Sequence, residues 1–313
     1  VVALINSSFF HIEFFLQLVT NGLANGAIYA AMALTVVIIY KTTGHLNFAQ
    51  GELATFSAFA VYVITVEKNV NIWIAIPIVV VLSMVVGAAL ERFLVRPVET
   101  KSGLAVVIVT LGLFLLLNAL TAVIWGTLPK SALTPFPGGL DDQITVLKGP
   151  PQFAIGYDAI GTWIVLAGVV LAVSLLMNRT KLGLGYRAVA SNRESAELVG
   201  VPVSRMLMLG WALSTGIGAL GGVLVSQSSG TLDFNLMGSV LIYGFAAAAL
   251  GGFDSIRGAV VGGLIVGLAE ALLPNLFSFV GSELSLAMAL VIILAVLLVR
   301  PQGLFGTRRV LRV

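Results

Sequence analysis

Residues 178–205 read Asn178-Arg-Thr-Lys-Leu-Gly-Leu-Gly-Tyr-Arg-Ala-Val-Ala-Ser-Asn-Arg-Glu-Ser-Ala-Glu-Leu-Val-Gly-Val-Pro-Val-Ser-Arg205, the densest run of charge in the chain. On both sides the sequence turns apolar, over 159–177 and again over 206–226. A polar stretch of this length between two such runs lies outside a bilayer, and the runs flanking it are spans. A span takes roughly 20 mostly apolar residues. Working outward, further runs of that kind cover 14–40, 51–66, 72–90, 104–126, 236–250, 259–273 and 284–299. Each is continuous rather than alternating, which favours helices over a membrane barrel. The expected fold is all-α, a polytopic membrane helix bundle of about 8–9 spans.

Composition agrees. The chain is 58% hydrophobic and 10% charged, with a mean hydropathy of +1.06. Soluble domains carry about 25% charged residues, so too little charge is present to coat a surface facing water. The chain has no Cys, which excludes disulfides and thiolate metal sites, and its two His, His11 and His45, are too few for a histidine metal site. No metal and no cofactor are expected. A nucleophile–base constellation is equally hard to build, so the chain does not read as an enzyme. The net charge of +3 is no nucleic-acid signal. The sequence begins Val-Val-Ala-Leu without a basic region, so no cleavable signal peptide is expected.

Basic residues set the orientation. With sides alternating, Lys41, Arg92, Arg96, Lys101, Arg179, Lys181, Arg187, Arg193, Arg205, Arg257, Arg300, Arg308, Arg309 and Arg312 share one side, leaving Lys68, Lys130 and Lys148 on the other. This predicts an external N-terminus, a cytoplasmic C-terminus and a cytoplasmic 178–205. The segment 127–158, with Pro129, Pro135, Pro137, Pro150 and Pro151, becomes an external loop.

Two places echo one another. Thr43-Gly-His-Leu-Asn-Phe-Ala-Gln-Gly-Glu52 and Ser229-Gly-Thr-Leu-Asp-Phe-Asn-Leu-Met-Gly238 both read Gly-x-Leu-(Asn/Asp)-Phe with a Gly soon after. Each follows a Gly-rich span and precedes a short one, and alternation puts them on opposite sides. That pattern is the mark of an inverted-topology repeat, common in transporters. The organisation expected is one permease domain over 1–313: a first repeat (14–126), the external loop (127–158), a linking span (159–177), the cytoplasmic loop (178–205), a second repeat (206–299) and a tail (300–313).

Polar residues inside the spans come next. Gln17, Asn21 and Asn25 fall on one helical face, beside Gly22 and Gly26 at small-xxx-small spacing. Such a face turns toward a wet pathway or toward another helix that takes its hydrogen bonds; residue types alone leave both open. Asn47, Gln50 and Glu52 follow a break at Gly44, where backbone and side chains are free to meet a solute, and Asp233 and Asn235 hold the matching place. Glu270 reads as a carboxylate at headgroup level. Gly216-Ile-Gly-Ala-Leu-Gly221 matches a dinucleotide fingerprint, but it lies inside an apolar run without a preceding strand. Ser214, Gly218 and Gly222 at four-residue spacing read as close helix packing instead.

Within 178–205 two short helices are predicted. The first covers about 185–190. Ser191-Asn-Arg-Glu194 has the form of a capping box opening the second, Gly200 ends it, and Pro202 forbids continuation. Ala188, Ala196 and Leu198 offer apolar contact among Arg187, Asn192, Arg193, Glu194 and Glu197. A loop that only enforces topology needs none of these caps, so a docking element is expected.

Four motifs in order then resemble the permeases of branched-chain amino-acid (Liv-type) ABC importers. They are Gly44-x-Leu-Asn-Phe-Ala-x-Gly-Glu52, Gly183-x-Gly-Tyr-Arg-Ala-x-Ala-x-Asn-x-Glu-x-Ala-x-Leu-x-Gly200, Gly251-Gly-Phe-Asp-Ser-Ile-x-Gly-Ala259 and Arg300-Pro-x-Gly-Leu-Phe305. The resemblance covers about 14–305. It implies a fold like that of type II ABC importers in a bacterial or archaeal cytoplasmic (inner) membrane. It also implies a second homologous permease chain, usually as a heterodimer, two cytoplasmic ABC ATPases, and an extracytoplasmic solute-binding protein. Residues 183–200, with Arg187, Asn192, Arg193, Glu194, Glu197 and Gly200, become the ATPase-coupling segment. Asn21, Asn25, Asn47, Phe48, Gln50 and Asp233 become candidates for the substrate pathway. Relatives that move urea or short amides share these motifs, so that cargo stays an alternative. An ion-coupled secondary transporter is a further one, for which a mid-span ion site is not evident in the sequence.

Overall fold

The computed structural model describes residues 12–99, 102–139, 141–147, 153–276 and 285–306. The chain start, His11, Lys101, Lys148, Pro150, Pro151 and the three terminal arginines, on which part of the sequence reading rests, lie outside them. Among the described residues the helices are α1 (Ile12–Thr43), α2 (Gln50–Tyr62), α3 (Ile72–Leu90), α4 (Arg96–Glu99), α5 (Gly103–Trp125), α6 (Tyr157–Arg179), α7 (Lys181–Ser191), α8 (Arg193–Leu198), α9 (Val203–Ser229), α10 (Gly238–Gly251), α11 (Ile256–Leu276) and α12 (Ser285–Val299). A π-turn, Val63–Glu67, prolongs α2, and another, Glu91–Val95, joins α3 to α4.

Among the described residues six helices are long and apolar enough to cross a membrane: α1, α3 with its continuation to Glu99, α5, α6, α9 and α11. The remaining three apolar runs of the sequence fall on the shorter α2, α10 and α12. The all-α expectation needs one correction. The loop 127–158 carries β-structure, with β2 (Gln143–Leu147) antiparallel to β3 (Phe153–Gly156), and β1 (Lys130–Ser131) pairs with β4 (Thr231–Leu232). Outside the span region water competes for backbone groups, so short strands cost little there.

Helix starts follow local chemistry. Asn71 caps α3 by accepting from Trp73 N (2.9 Å), and Ser102 caps α5 from Ala105 N (3.1 Å). Gly44 and Gly230 end α1 and α9 in the left-handed region, each with φ of 72°, a conformation a side chain resists.

The helices form two compact units, and α1, α6 and α10 each contribute to both. One holds the described residues of 34–135 and 167–241, the other those of 1–33, 136–166 and 242–313. In the first, α9 is the central post. A side chain at Gly222 would reach Ala54 O of α2 at 2.5 Å, and one at Gly87 of α3 would reach Trp211 O at 2.7 Å. Small residues therefore set how closely these helices approach. Thr215 Oγ1 donates to Ser83 O (2.7 Å), and the Ser57 and Ser83 hydroxyls bond at 2.8 Å. Outward faces are apolar: Ile74, Ile78, Val81 and Val85 on α3, Leu104, Ile108 and Leu115 on α5.

In the other unit α1 crosses α11 on glycines of both helices. A side chain at Gly26 would lie 2.9 Å from Leu264 Cα, and one at Gly22 3.0 Å from Ala271 Cβ. The chain beyond α12 folds back on the end of α10, with Leu304 N donating to Leu250 O (2.8 Å) and Phe305 N to Gly251 O (3.0 Å). The Gly-Leu-Phe ending thus satisfies carbonyls that the end of α10 leaves free.

Candidate functional site

In the unit built on α9, the echoing motifs are two turns closed by Asn or Asp side chains. After Gly44 the chain doubles back. Asn47 Oδ1 accepts from Ala49 N (3.0 Å) to form a side-chain-closed turn, and α2 begins at Gln50. Gln50 is fully buried. Its Nε2 donates to Ser214 O (3.0 Å), and its Oε1 accepts from Ser214 Oγ (2.9 Å) and from Asn47 Nδ2 (3.3 Å). Ser214 Oγ also lies 3.1 Å from Thr35 O of α1. Ser214 stands about 16 Å along α9 at 1.5 Å per residue. So α2 starts near the middle of its neighbour rather than at its end.

The second motif repeats this locally. Asp233 Oδ1 accepts from Asn235 N (2.8 Å), and α10 begins at Gly238. The two turns are linked through α5. Asn118 Nδ2, from α5, reaches Glu52 Oε2 (3.4 Å), Phe234 O (3.3 Å) and Asn235 Oδ1 (3.1 Å). A side chain at Gly51 would touch Leu241 Cβ at 3.3 Å and Met237 Cβ at 3.5 Å. Two helix starts, each with a positive dipole end, therefore converge beside a buried carboxylate, Glu52. Asn47 and Gln50 spend their polar atoms holding α2 in place, while Phe48 and Asp233 are half-buried on the turns. A side chain at Gly218 would lie 2.7 Å from Gln50 Nε2 and 3.5 Å from Ala54 Cβ.

The other unit carries a second polar group. Gln17 Nε2 donates to Asn21 Oδ1 (3.2 Å), and both are exposed. One turn on, Asn25 Nδ2 lies 3.4 Å from Glu270 Oε2 of α11, and Tyr29 Oη donates to the same oxygen at 2.7 Å. Tyr243 stacks on Tyr29, ring centres 4.6 Å apart. The Glu270 carboxylate sits about two-thirds of the way along α11, beside the buried Tyr29. Tyr29 extends the Gln17–Asn21–Asn25 face by a further four residues, a signal present in the sequence and missed. Asn118 was equally legible as the polar residue in the middle of an apolar run.

The polar loop 178–205 holds α7 and α8. Thr180 caps α7 from Gly183 N (3.0 Å), so it begins four residues earlier than predicted. Asn192, not Ser191, caps α8, accepting from Ser195 N at 2.8 Å. Ser191 is the last residue of α7, which moves the cap one place on. Gly200, with φ of 81°, closes α8 while Val201 N donates to Ala196 O (3.0 Å). Tyr186 anchors α7: it is buried, donates to Ile38 O of α1, and lies 3.3 Å from where a side chain at Gly210 would stand. Burial pushes its hydroxyl above the usual tyrosine range. Arg193 does not point away from the chain. Its guanidinium pairs with Glu99 of α4 at 2.7 and 3.3 Å. Ala196 is buried, whereas Leu198 and Val199 are 89% and 78% exposed beside the exposed Glu194 and Glu197; Arg187 is exposed on α7.

A polytopic helix bundle with two short helices that follow glycine-ended turns, and a structured helical loop, has the make-up of a transporter body. Residues 18–299 match the family model described as branched-chain amino acid transport system / permease component, and the chain belongs to that family. It is 27% identical over 312 residues to the high-affinity branched-chain amino acid transport system permease protein LivH of Salmonella typhimurium, covering 96% of this chain and 98% of the relative. It is 26% identical to BraD of Pseudomonas aeruginosa, at 96% and 98% coverage, a permease protein of the same description. A ribose import permease protein, RbsC of Haemophilus influenzae, is 24% identical over 99% of this chain and 91% of its own. This chain is thus a multi-pass membrane permease component.

Proposed function

We propose that the chain forms half of the translocation path of an ATP-driven importer for branched-chain or other small amino acids. A second homologous permease supplies the other half. Two cytoplasmic ABC ATPases drive the cycle, and an extracytoplasmic binding protein delivers cargo. The observation that carries this reading is the family match over 18–299 together with α7–α8, a capped element anchored by Tyr186 and tipped by exposed Leu198 and Val199.

The α2 and α10 half-helices favour nine passes, with α2, α10 and α12 added to the six long helices. The paired turns at Gly44 and Gly230, each with an Asx-closed turn three residues on, support an inverted repeat. The basic-residue bias puts the N-terminus outside and α7–α8 in the cytoplasm, where ATP is available. In this reading ATPase closure pushes Arg187, Glu194, Glu197 and the Leu198–Gly200 tip. Tyr186 passes the motion to α1 and α9, and Asn21, Asn25, Asn47, Phe48, Gln50 and Asp233 belong to the helices that then rearrange around the cargo.

The test is reconstitution of the permease with its ATPases and binding protein in proteoliposomes, followed by leucine uptake. ATP-dependent uptake that survives collapse of proton and sodium gradients is the expected result. Uptake that follows an ion gradient without ATP overturns the reading.

A further inference from the structure

We infer that Glu270, with Asn25 and Tyr29, is the subsite that receives the ammonium group of the cargo, so that the permease itself screens for a free amino group. The inference rests on the amino-acid reading above and adds a residue that reading does not use.

Four observations carry it. The carboxylate is embedded in a spanning helix, where an ionisable group is costly and rarely without a task. Tyr29 Oη at 2.7 Å and Asn25 Nδ2 at 3.4 Å both reach the same oxygen, Oε2, and Tyr243 is a third donor to the carboxylate. A carboxylate accepts about four hydrogen bonds, so room for an ammonium remains. Among the described residues its ion pairs include no Lys or Arg partner. Finally, Glu270 and Asn25 are partly exposed and the face continues through exposed Asn21 and Gln17. The lipid-type surface of this chain looks different, being Ile, Val and Leu on α3 and α5. A polar exposed stripe at membrane depth is built to face water or a polar solute.

The geometry also suits an ammonium better than a carboxylate. An anion would need donors, and the donors here are already turned onto Glu270. The rings of Tyr29 and Tyr243, stacked at 4.6 Å, stand beside the site and offer π faces that favour a cation.

The experiment uses the full importer in proteoliposomes with radiolabelled leucine, comparing Glu270→Gln, Glu270→Asp and Tyr29→Phe with the unaltered protein. Assembly, melting and binding-protein-stimulated ATP hydrolysis are followed alongside uptake. The expected result is that Glu270→Gln melts and hydrolyses ATP like the parent but imports leucine about tenfold or more slowly, the size of one lost charge-assisted contact. Glu270→Asp should recover part of the rate, and Tyr29→Phe should lose less than Glu270→Gln. Unchanged uptake by Glu270→Gln overturns the inference. So does a parallel fall of uptake, melting and hydrolysis, which marks a structural carboxylate, or a failure of Glu270→Asp to recover any rate. If the unaltered complex imports no amino acid, the functional reading itself fails, an outcome distinct from all of these.

Discussion

Arg193 and Glu99 stand 94 residues apart in the chain and are joined by two hydrogen bonds, 2.7 and 3.3 Å, that tie the first residue of α8 to the last of α4. The Glu99 side chain is almost wholly covered, while Arg193 stays about half open. A second pair, Arg96 to Glu91 at 2.6 Å, with Arg96 reaching Ser204 O at 3.2 Å, lies just before it. The α7–α8 element is therefore tied by two guanidiniums to the segment that follows α3.

Arg193→Ala should weaken that tie. Removing the partner leaves the covered Glu99 carboxylate unpaired, which costs more than the about 0–1 kcal/mol of an exposed pair, so melting should fall modestly. Leucine uptake per ATP hydrolysed should fall, because α8 is no longer fixed to α4. Parallel assays of uptake and phosphate release check it, and Glu99→Gln should give the same defect without adding to it.

Leu198→Asp should break docking without harming the fold. The side chain is 89% exposed and makes no core contact, so stability should stay within about 0.5 kcal/mol. Co-purification of the ATPases with the permease should drop sharply. Full recovery of ATPases on the variant would place docking elsewhere.

Tyr186→Phe removes the hydroxyl that reaches Ile38 O but keeps the buried ring. The loss of one buried hydrogen bond is worth about 1 kcal/mol, a small fall in melting temperature. Tyr186→Ala should be far worse, at about 3–5 kcal/mol for deleting a buried aromatic ring. Thermal unfolding in detergent separates the two.

Asn118→Leu should strand the Glu52 carboxylate and the paired turn at Asn235. A buried charged group left without its donor costs more than the about 1–3 kcal/mol of a neutral one. Expression and melting should both drop, and Glu52→Gln in the same chain should recover part of the loss.

Gly26→Val should prevent α1 and α11 from closing. The added atoms would meet Leu264 Cα at 2.9 Å, and backbone cannot swing aside as a flexible side chain does. Overpacking of this kind costs about 1–3 kcal/mol or more. Gly112→Ala, at a position facing open space, serves as the matched control.

Much of this was legible in the residues. Continuous apolar runs name spans because lipid supplies no partner for a free backbone group, so every run became a helix. Gly44, Gly200 and Gly230 marked helix ends because their conformations exclude side chains, and the echo between 44–51 and 230–238 marked two like turns. The capping box failed by one residue. Ser191 and Asn192 cap equally well, and the choice fell to how far α7 could run before α8 began.

Other features lay beyond the sequence. Which side chain meets Gln50, Glu52, Arg193 or Glu270 depends on helices far away in the chain. Spacing along one helix fixes a face but not its neighbour. The chain alone determined a membrane-embedded helical body with a structured polar elbow, because burial in lipid and helix capping are local demands. Only the tertiary structure decided that Asn118 clasps both turns, that Arg193 looks inward to Glu99, and that Glu270 sits with Tyr29. A hydrogen bond between distant residues is set by which helices pack together, and helix packing is decided by the whole set of glycine-lined contacts at once.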